Sequence, residues 1–288
     1  MRFRAWVMAA SVLFAMGATC PEALAAQRGQ RAPAPQGGAR TPASAPGAPD
    51  LKTVLYDAAD VLGMLRTAQE VDRIATMKFW AAGTMNVGGQ ESKVTNYVGS
   101  INFHVPGMRA DITRTGADGK PVRQVEVVSG KFGWNETQPG MNGSPAPGMA
   151  NARLLQIWML PQGVVKAATA AGANTKVTRE GGATVLTFPV ASVGATIKAT
   201  LDAKNMITDV EGRMGNVVIN TAYADYGDWN GDDYLSDVMF PRHIVQKQGG
   251  VTVLDLTVTK TNTYNPYVVM PVPQNIQQAE ENTQPSAR

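Results

Sequence analysis

The sequence predicts a mainly β protein of the α+β class: a large curved antiparallel sheet forming an incomplete β-barrel, with helices packed in or over its concave face. Three observations predict it. Apolar and polar residues alternate with a period of two through residues 76–134 and again through residues 183–262. Short turns rich in Gly, Asn and Asp separate these runs, which makes successive strands antiparallel neighbours. Two stretches, residues 51–66 and 149–171, switch to three- and four-residue apolar spacing and so read as helices able to cover an apolar sheet face.

The chain has 288 residues and a net charge of +3. Residues 1–25 read as a signal peptide. Arg2 and Arg4 form its positive end, residues 6–18 its apolar run, and Ala23-Leu24-Ala25 its small-x-small cleavage site. That run is shorter than the ~20 residues of a membrane span. The single cysteine, Cys20, lies in this leader. Gly17-Ala18-Thr19 before it lacks the leucine that a lipidation site carries, which argues against a lipid anchor there. Residues 26–50 are a Pro/Ala-rich linker with almost no large apolar residue, and are expected to be disordered. The domain proper spans residues 51–265, and residues 266–288 read as a disordered Pro- and Gln-bearing tail. The surplus positive charge sits in residues 1–50, so the domain is near neutral and has no broad field for nucleic acid.

Within the domain, Asp50 is a candidate N-cap for the first helix, whose Val54, Ala58, Val61, Leu62 and Leu65 share a face. Met77, Phe79 and Ala81 open the first strand, and Gly88-Gly89 turns it. Tyr97, Ile101 and Phe103 face inward on the second. Met108, Ala110 and Ile112 do so on the third. Val125 and Val127 are expected inward next, followed by Phe132 and Trp134. Residues 135–148 form a Pro/Gly-rich loop. Leu154, Leu155 and Trp158 mark the second helix, which Pro161 ends; a third runs through Ala171 to a Gly172 cap. The second meander places Leu186, Phe188, Ile197, Val210, Ile219, Tyr223, Leu254 and Leu256 inward.

Chemistry-bearing motifs are few. His104 and His243 are far apart and lack metal-ligand spacing. The run Asp228-Trp229-Asn230-Gly231-Asp232-Asp233 resembles the start of a calcium loop, but has Asp233 where the loop needs Gly and Met239 where it needs Glu. There is no nucleophile elbow and no phosphate-binding loop. No catalytic residue, metal site or cofactor is assigned. What remains is apolar area, and 14 methionines suit adaptable apolar surfaces.

Tyr223-Ala224-Asp225-Tyr226, then Val238-Met239-Phe240-Pro241-Arg242-His243-Ile244, then Leu254-Asp255-Leu256-Thr257-Val258-Thr259 and Asn265-Pro266 follow helix, meander, helical insert and second meander. This order and these motifs resemble the superfamily of periplasmic lipoprotein carriers and outer-membrane lipoprotein-sorting proteins. The resemblance implies an unclosed antiparallel sheet wrapped round helices, with acyl chains bound in its hollow.

The combined expectation is a periplasmic, non-enzymatic protein that holds a lipid, acyl chain or other apolar ligand and contacts a membrane or an envelope protein without a transmembrane segment. The ligand-binding candidates are Phe79, Tyr97, Phe103, Phe132, Trp134, Leu154, Leu155, Trp158, Phe188 and Tyr223, with Leu154, Leu155 and Trp158 as a movable cover. The alternative is an envelope interaction module with a filled core. A hydrolase would need a serine, a histidine and a carboxylate to converge in one cleft.

Overall fold

The structure, a computed structural model, describes residues 49–65, 72–229, 237–263 and 265–283. The leader, Cys20, nearly all of the linker and the acidic loop from Asn230 to Asp233 lie outside the described residues. Helix α1 (Leu51–Val61) starts at Asp50, whose carboxylate accepts the backbone N–H of Thr53 at 3.1 Å. It ends earlier than the sequence predicts, because Gly63 adopts φ 73° and turns the chain.

The first meander is β1 (Thr76–Val87), β2 (Gln90–Asn102), β3 (Gly107–Thr115), β4 (Pro121–Ser129), β5 (Phe132–Glu136) and the two-residue β6 (Ser144–Pro145). The insert follows as α2 (Ala150–Met159) and α3 (Pro161–Ala171). The second meander is β7 (Lys176–Glu180), β8 (Ala183–Val190), β9 (Ala195–Leu201), β10 (Ile207–Met214), β11 (Val217–Asp228), β12 (Met239–Gln248) and β13 (Val251–Asn262), with α4 (Gln274–Thr283) after it. All thirteen strands form one sheet, ordered β6-β5-β4-β3-β2-β1-β13-β12-β11-β10-β9-β8-β7. The chain's first and last long strands, β1 and β13, pair at its middle, and β6 and β7 are its two ends. The sheet is therefore antiparallel throughout and does not close. Gly88-Gly89 takes φ 62° and 86°, the left-handed pair that a two-residue hairpin requires.

Helices α1, α2 and α3 cover the concave face. Leu155, Ile157 and Met159 of α2 and Val164 and Ala168 of α3 are buried against Met77, Ile101, Leu186, Phe188 and Ile197 of the sheet. Each large side chain removed from water there contributes about 1.5–3 kcal/mol.

The structure corrects two expectations. Phe132 and Trp134 do not face the concave side. They lie on the opposite face in a separate apolar cluster, together with Val125 and Val127, which the sequence also placed inward. The reason is Gly133: it faces α2, and a Cβ there would press on Ala146 O and Ala150 N. Helix and strand approach so closely that only glycine fits between them, and the period of two then sends both aromatic rings outward. The second correction concerns the tail. Residues 265–272 run as an extended strap and α4 follows, burying Val268, Met270 and Ile276 on that same outer cluster. Asn265 ties the strap down by accepting the backbone N–H of Ala75 and donating to Arg73 O. Asn102 also donates to Val268 O at 3.0 Å.

Candidate functional site

On the concave face, β1, β2, β3 and β11–β13 meet the C-terminal end of α2 at a narrow cleft. Phe79 and Tyr97 form one wall, stacked at 5.6 Å between ring centroids and 19° between planes. Phe240 tilts against Phe79 from behind, at 5.2 Å. Met159 and Leu160 form the roof, and Ile244, Leu254 and Leu256 the far wall. Gln156, Thr221 and Gln246 put polar groups at the same cleft, and Gln246 donates to Thr221 Oγ1 at 3.4 Å. The cleft encloses about 40 Å3. Sites for drug-sized ligands hold roughly 300–1,000 Å3, so α2 and the sheet are in near contact here.

Two sets of polar contacts hold the roof. At the N-terminal end of α2, Arg153 is buried and donates to Val127 O at 2.9 Å, Trp134 O at 2.7 Å and Asn135 Oδ1 at 2.6 Å. At the C-terminal end, Tyr223 donates its hydroxyl to Met159 O at 2.9 Å. Gln162, fully buried at the start of α3, donates to Met239 O at 2.8 Å, and its Oε1 has no hydrogen-bond partner among the described residues. Lys166 of α3 pairs with Asp72 and lies 5.3 Å from the Phe103 ring centroid.

Of the ten ligand candidates, the cleft brings together Phe79, Tyr97 and Tyr223. Phe103, Leu154, Leu155 and Phe188 are buried elsewhere in the main core. Trp158 is partly buried against that core, with its indole N–H enclosed and unbonded among the described residues. Phe132 and Trp134 belong to the outer cluster. Sequence reasoning missed Gln156 and Gln246. A signal for Gln246 exists: it continues the inward series of Phe240 and Ile244 at the same two-residue spacing, where a glutamine is out of place on an apolar face.

Burial raises the phenol of Tyr97, helped by the nearby Glu126 charge, and raises those of Tyr223 and Tyr226. All three stay protonated when folded at a pH where an unfolded phenol, titrating near about 10, ionises. The folded state then binds more protons than the unfolded one. Their contribution is complete below about pH 10 and is lost as pH rises above it, at up to about 4 kcal/mol per pH unit for three groups. Urea unfolding at pH 9, 10 and 11 should show this fall. Tyr226→Phe, which also loses a hydroxyl bond to Ile207 O, should make the fall about one third shallower.

Neither histidine lines the cleft. His104 sits in the exposed turn between β2 and β3, not on a strand face. His243 lies on the outer face, with Nε2 2.8 Å from Asp255 Oδ1, and its register neighbours are Ala224 and Thr257. Among the described residues no three His, Cys, Asp or Glu side chains gather as a metal site, and no helix is long and apolar enough to cross a membrane. A scan with protein-family models returns no match, and a search among curated proteins returns none. The class of protein is therefore defined by architecture: an open antiparallel sheet with a helical insert on its concave face.

Proposed function

We propose that the chain is an exported, non-enzymatic binding protein that takes one extended apolar chain, such as an acyl tail, between its concave face and the C-terminal end of α2. The carrying observation is the aromatic cleft of Phe79, Tyr97 and Tyr223 beneath Met159 and Leu160, in a sheet that does not close. On this reading the cleft widens as the chain enters. Opening would break the Tyr223 and Gln162 tethers and leave Arg153 as the pivot. Apolar burial drives binding at about 25 cal/mol per Å2, and Gln156, Thr221 and Gln246 hold a polar head group. The resemblance in element order to lipoprotein carriers is consistent with this reading, and so is the signal-like sequence of residues 1–25.

The test is native-condition purification from the cell envelope, followed by extraction and mass spectrometry. Lipid recovered at one equivalent per chain supports the reading. An empty protein that also fails to take up a fluorescent fatty acid overturns it. The same result favours the second reading, an interaction module with a filled core, for which the near-solid packing under α2 speaks. Tyr223→Phe removes one roof tether, at a cost of about 1 kcal/mol in stability. On the carrier reading it should increase fatty-acid uptake; on the filled-core reading uptake stays at background.

A further inference from the structure

The opposite face of β9–β12 carries a groove of about 590 Å3 that the binding of an apolar chain leaves unused. This lies within the roughly 300–1,000 Å3 of small-ligand sites. Strand register builds it as two adjacent rows on the outer face. The first row reads Lys198, Glu211, Asn220, Lys247 across the four strands, and the second reads Thr200, Asp209, Ala222, Val245. Lysines stand at both ends of the first row, and the short side chain of Ala222 leaves the floor low between them.

The charges are sorted by their partners. Lys198 is held outward by Glu180 at 2.8 Å, and Glu211 by Arg213 at 3.0 Å. Asp209 and Lys247 have no ion-pair or hydrogen-bond partner among the described residues. They sit at diagonal corners, two strands and two residues apart. Strand spacings of about 4.8 Å and rises of about 3.4 Å put their Cα atoms about 12 Å from one another. One free carboxylate and one free ammonium thus face a common trough without pairing with each other. Between them, on β11, lie an amide donor and acceptor, Asn220, and the small Ala222.

We propose that this groove binds a short peptide with free termini, its ammonium on Asp209 and its carboxylate on Lys247. An extended chain spans about 3.3–3.6 Å per residue, so three residues match the gap. The peptide amides face Asn220, and Ala222 and Val245 accept small apolar side chains.

The experiment titrates the full chain with trialanine by calorimetry and by amide chemical shifts. Saturable one-to-one binding is expected, with shifts confined to residues 198–200, 209–211, 220–222 and 245–247. Asp209→Asn and Lys247→Gln, both at exposed positions, should each weaken it about tenfold. Ala222→Leu should abolish it by raising the floor. Trialanine blocked at both ends should not bind. The proposal is overturned if trialanine fails to saturate, if the blocked peptide binds equally well, or if Asp209→Asn and Lys247→Gln leave affinity unchanged while circular dichroism shows both folded. Equal binding of 8-aminooctanoate, which has the terminal charges without peptide amides, overturns the assignment to a peptide.

Discussion

Trp134→Ala should destabilise the protein by about 3–5 kcal/mol, the range for emptying a buried tryptophan site. The indole is fully buried in the cluster formed by Val125 and Val127 of β4, the strap residues Val268 and Met270, and Ile276 of α4. Its N–H donates to Glu136 Oε1 at 2.8 Å. Glu136 is itself buried and accepts Arg109 Nε at 3.0 Å and the backbone N–H of Gly140 at 2.7 Å, which fixes the loop after β5. Losing the indole therefore empties a cavity and unsettles a buried carboxylate together. The strap should loosen first, so that a protease cuts within residues 265–283 under conditions where the rest of the sheet resists it. Trp134→Phe, which keeps most of the apolar area, should lose markedly less. Equilibrium denaturation checks the size of the effect. A Trp134→Ala variant within 1 kcal/mol of the parent would mean that the strap and α4 do not form a second core. Fatty-acid uptake should be unaffected, since the ring lies on the face away from the cleft; a loss of uptake in a still-folded variant would restore Trp134 to the ligand face.

The same residue shows what the sequence could and could not reveal. In β9 and β11 the alternation of Ala195, Ile197, Ala199 and Leu201, then Ile219, Thr221 and Tyr223, marks the buried face almost residue by residue, whereas in β10 an irregularity between Ile207 and Asp209 buries Ile207 together with Val210. One dry face, and between β10 and β11 a two-residue turn, leave the register little freedom there. Helices α2 and α3 were legible from Leu154, Leu155 and the Pro161 break, although Pro161 also serves α3 as its first helical residue. Alternation tells which side chains share a face, but not which face that is. For β5 the choice was made by Gly133 meeting α2, a contact between segments that the local pattern does not encode. The strap was hidden for a related reason. Its Pro-rich composition reads as disorder, while the alternation of Tyr267, Val268, Val269 and Met270 across eight-residue length gains meaning only beside the apolar backs of β4 and β5. At the cleft, the aromatic wall of Phe79 and Tyr97 was visible in advance. The roof contacts of Tyr223 and Gln162 with main-chain oxygens were not, because a carbonyl acceptor has no sequence signature.

Arg153→Ala should cost about 2–4 kcal/mol, because it opens space under α2 and takes a charged donor away from the Val127 and Trp134 carbonyls of two buried residues. The guanidinium spans β4 and β5 as a fork, with one nitrogen on Val127 O and Trp134 O and the other on Asn135 Oδ1. Burial lowers its proton affinity, and the Glu126 carboxylate 3.8 Å from Nε opposes that fall and keeps the charge in place. Alanine would strand two buried carbonyl groups and open space under α2. Lysine keeps the charge but has a single ammonium that cannot reproduce the fork, so Arg153→Lys should fall between alanine and the parent. Hydrogen exchange makes the prediction local: amides of α2 should lose protection before those of β9–β11, which Arg153 does not touch. If Arg153→Ala matches the parent in stability and in α2 protection, apolar packing alone holds the insert. Paired with Tyr223→Phe, the variant also identifies the moving end of α2. Tyr223→Phe should raise fatty-acid uptake with α2 still docked, whereas Arg153→Ala should release the N-terminal end and lower affinity, because a cover without its pivot cannot close again over a chain.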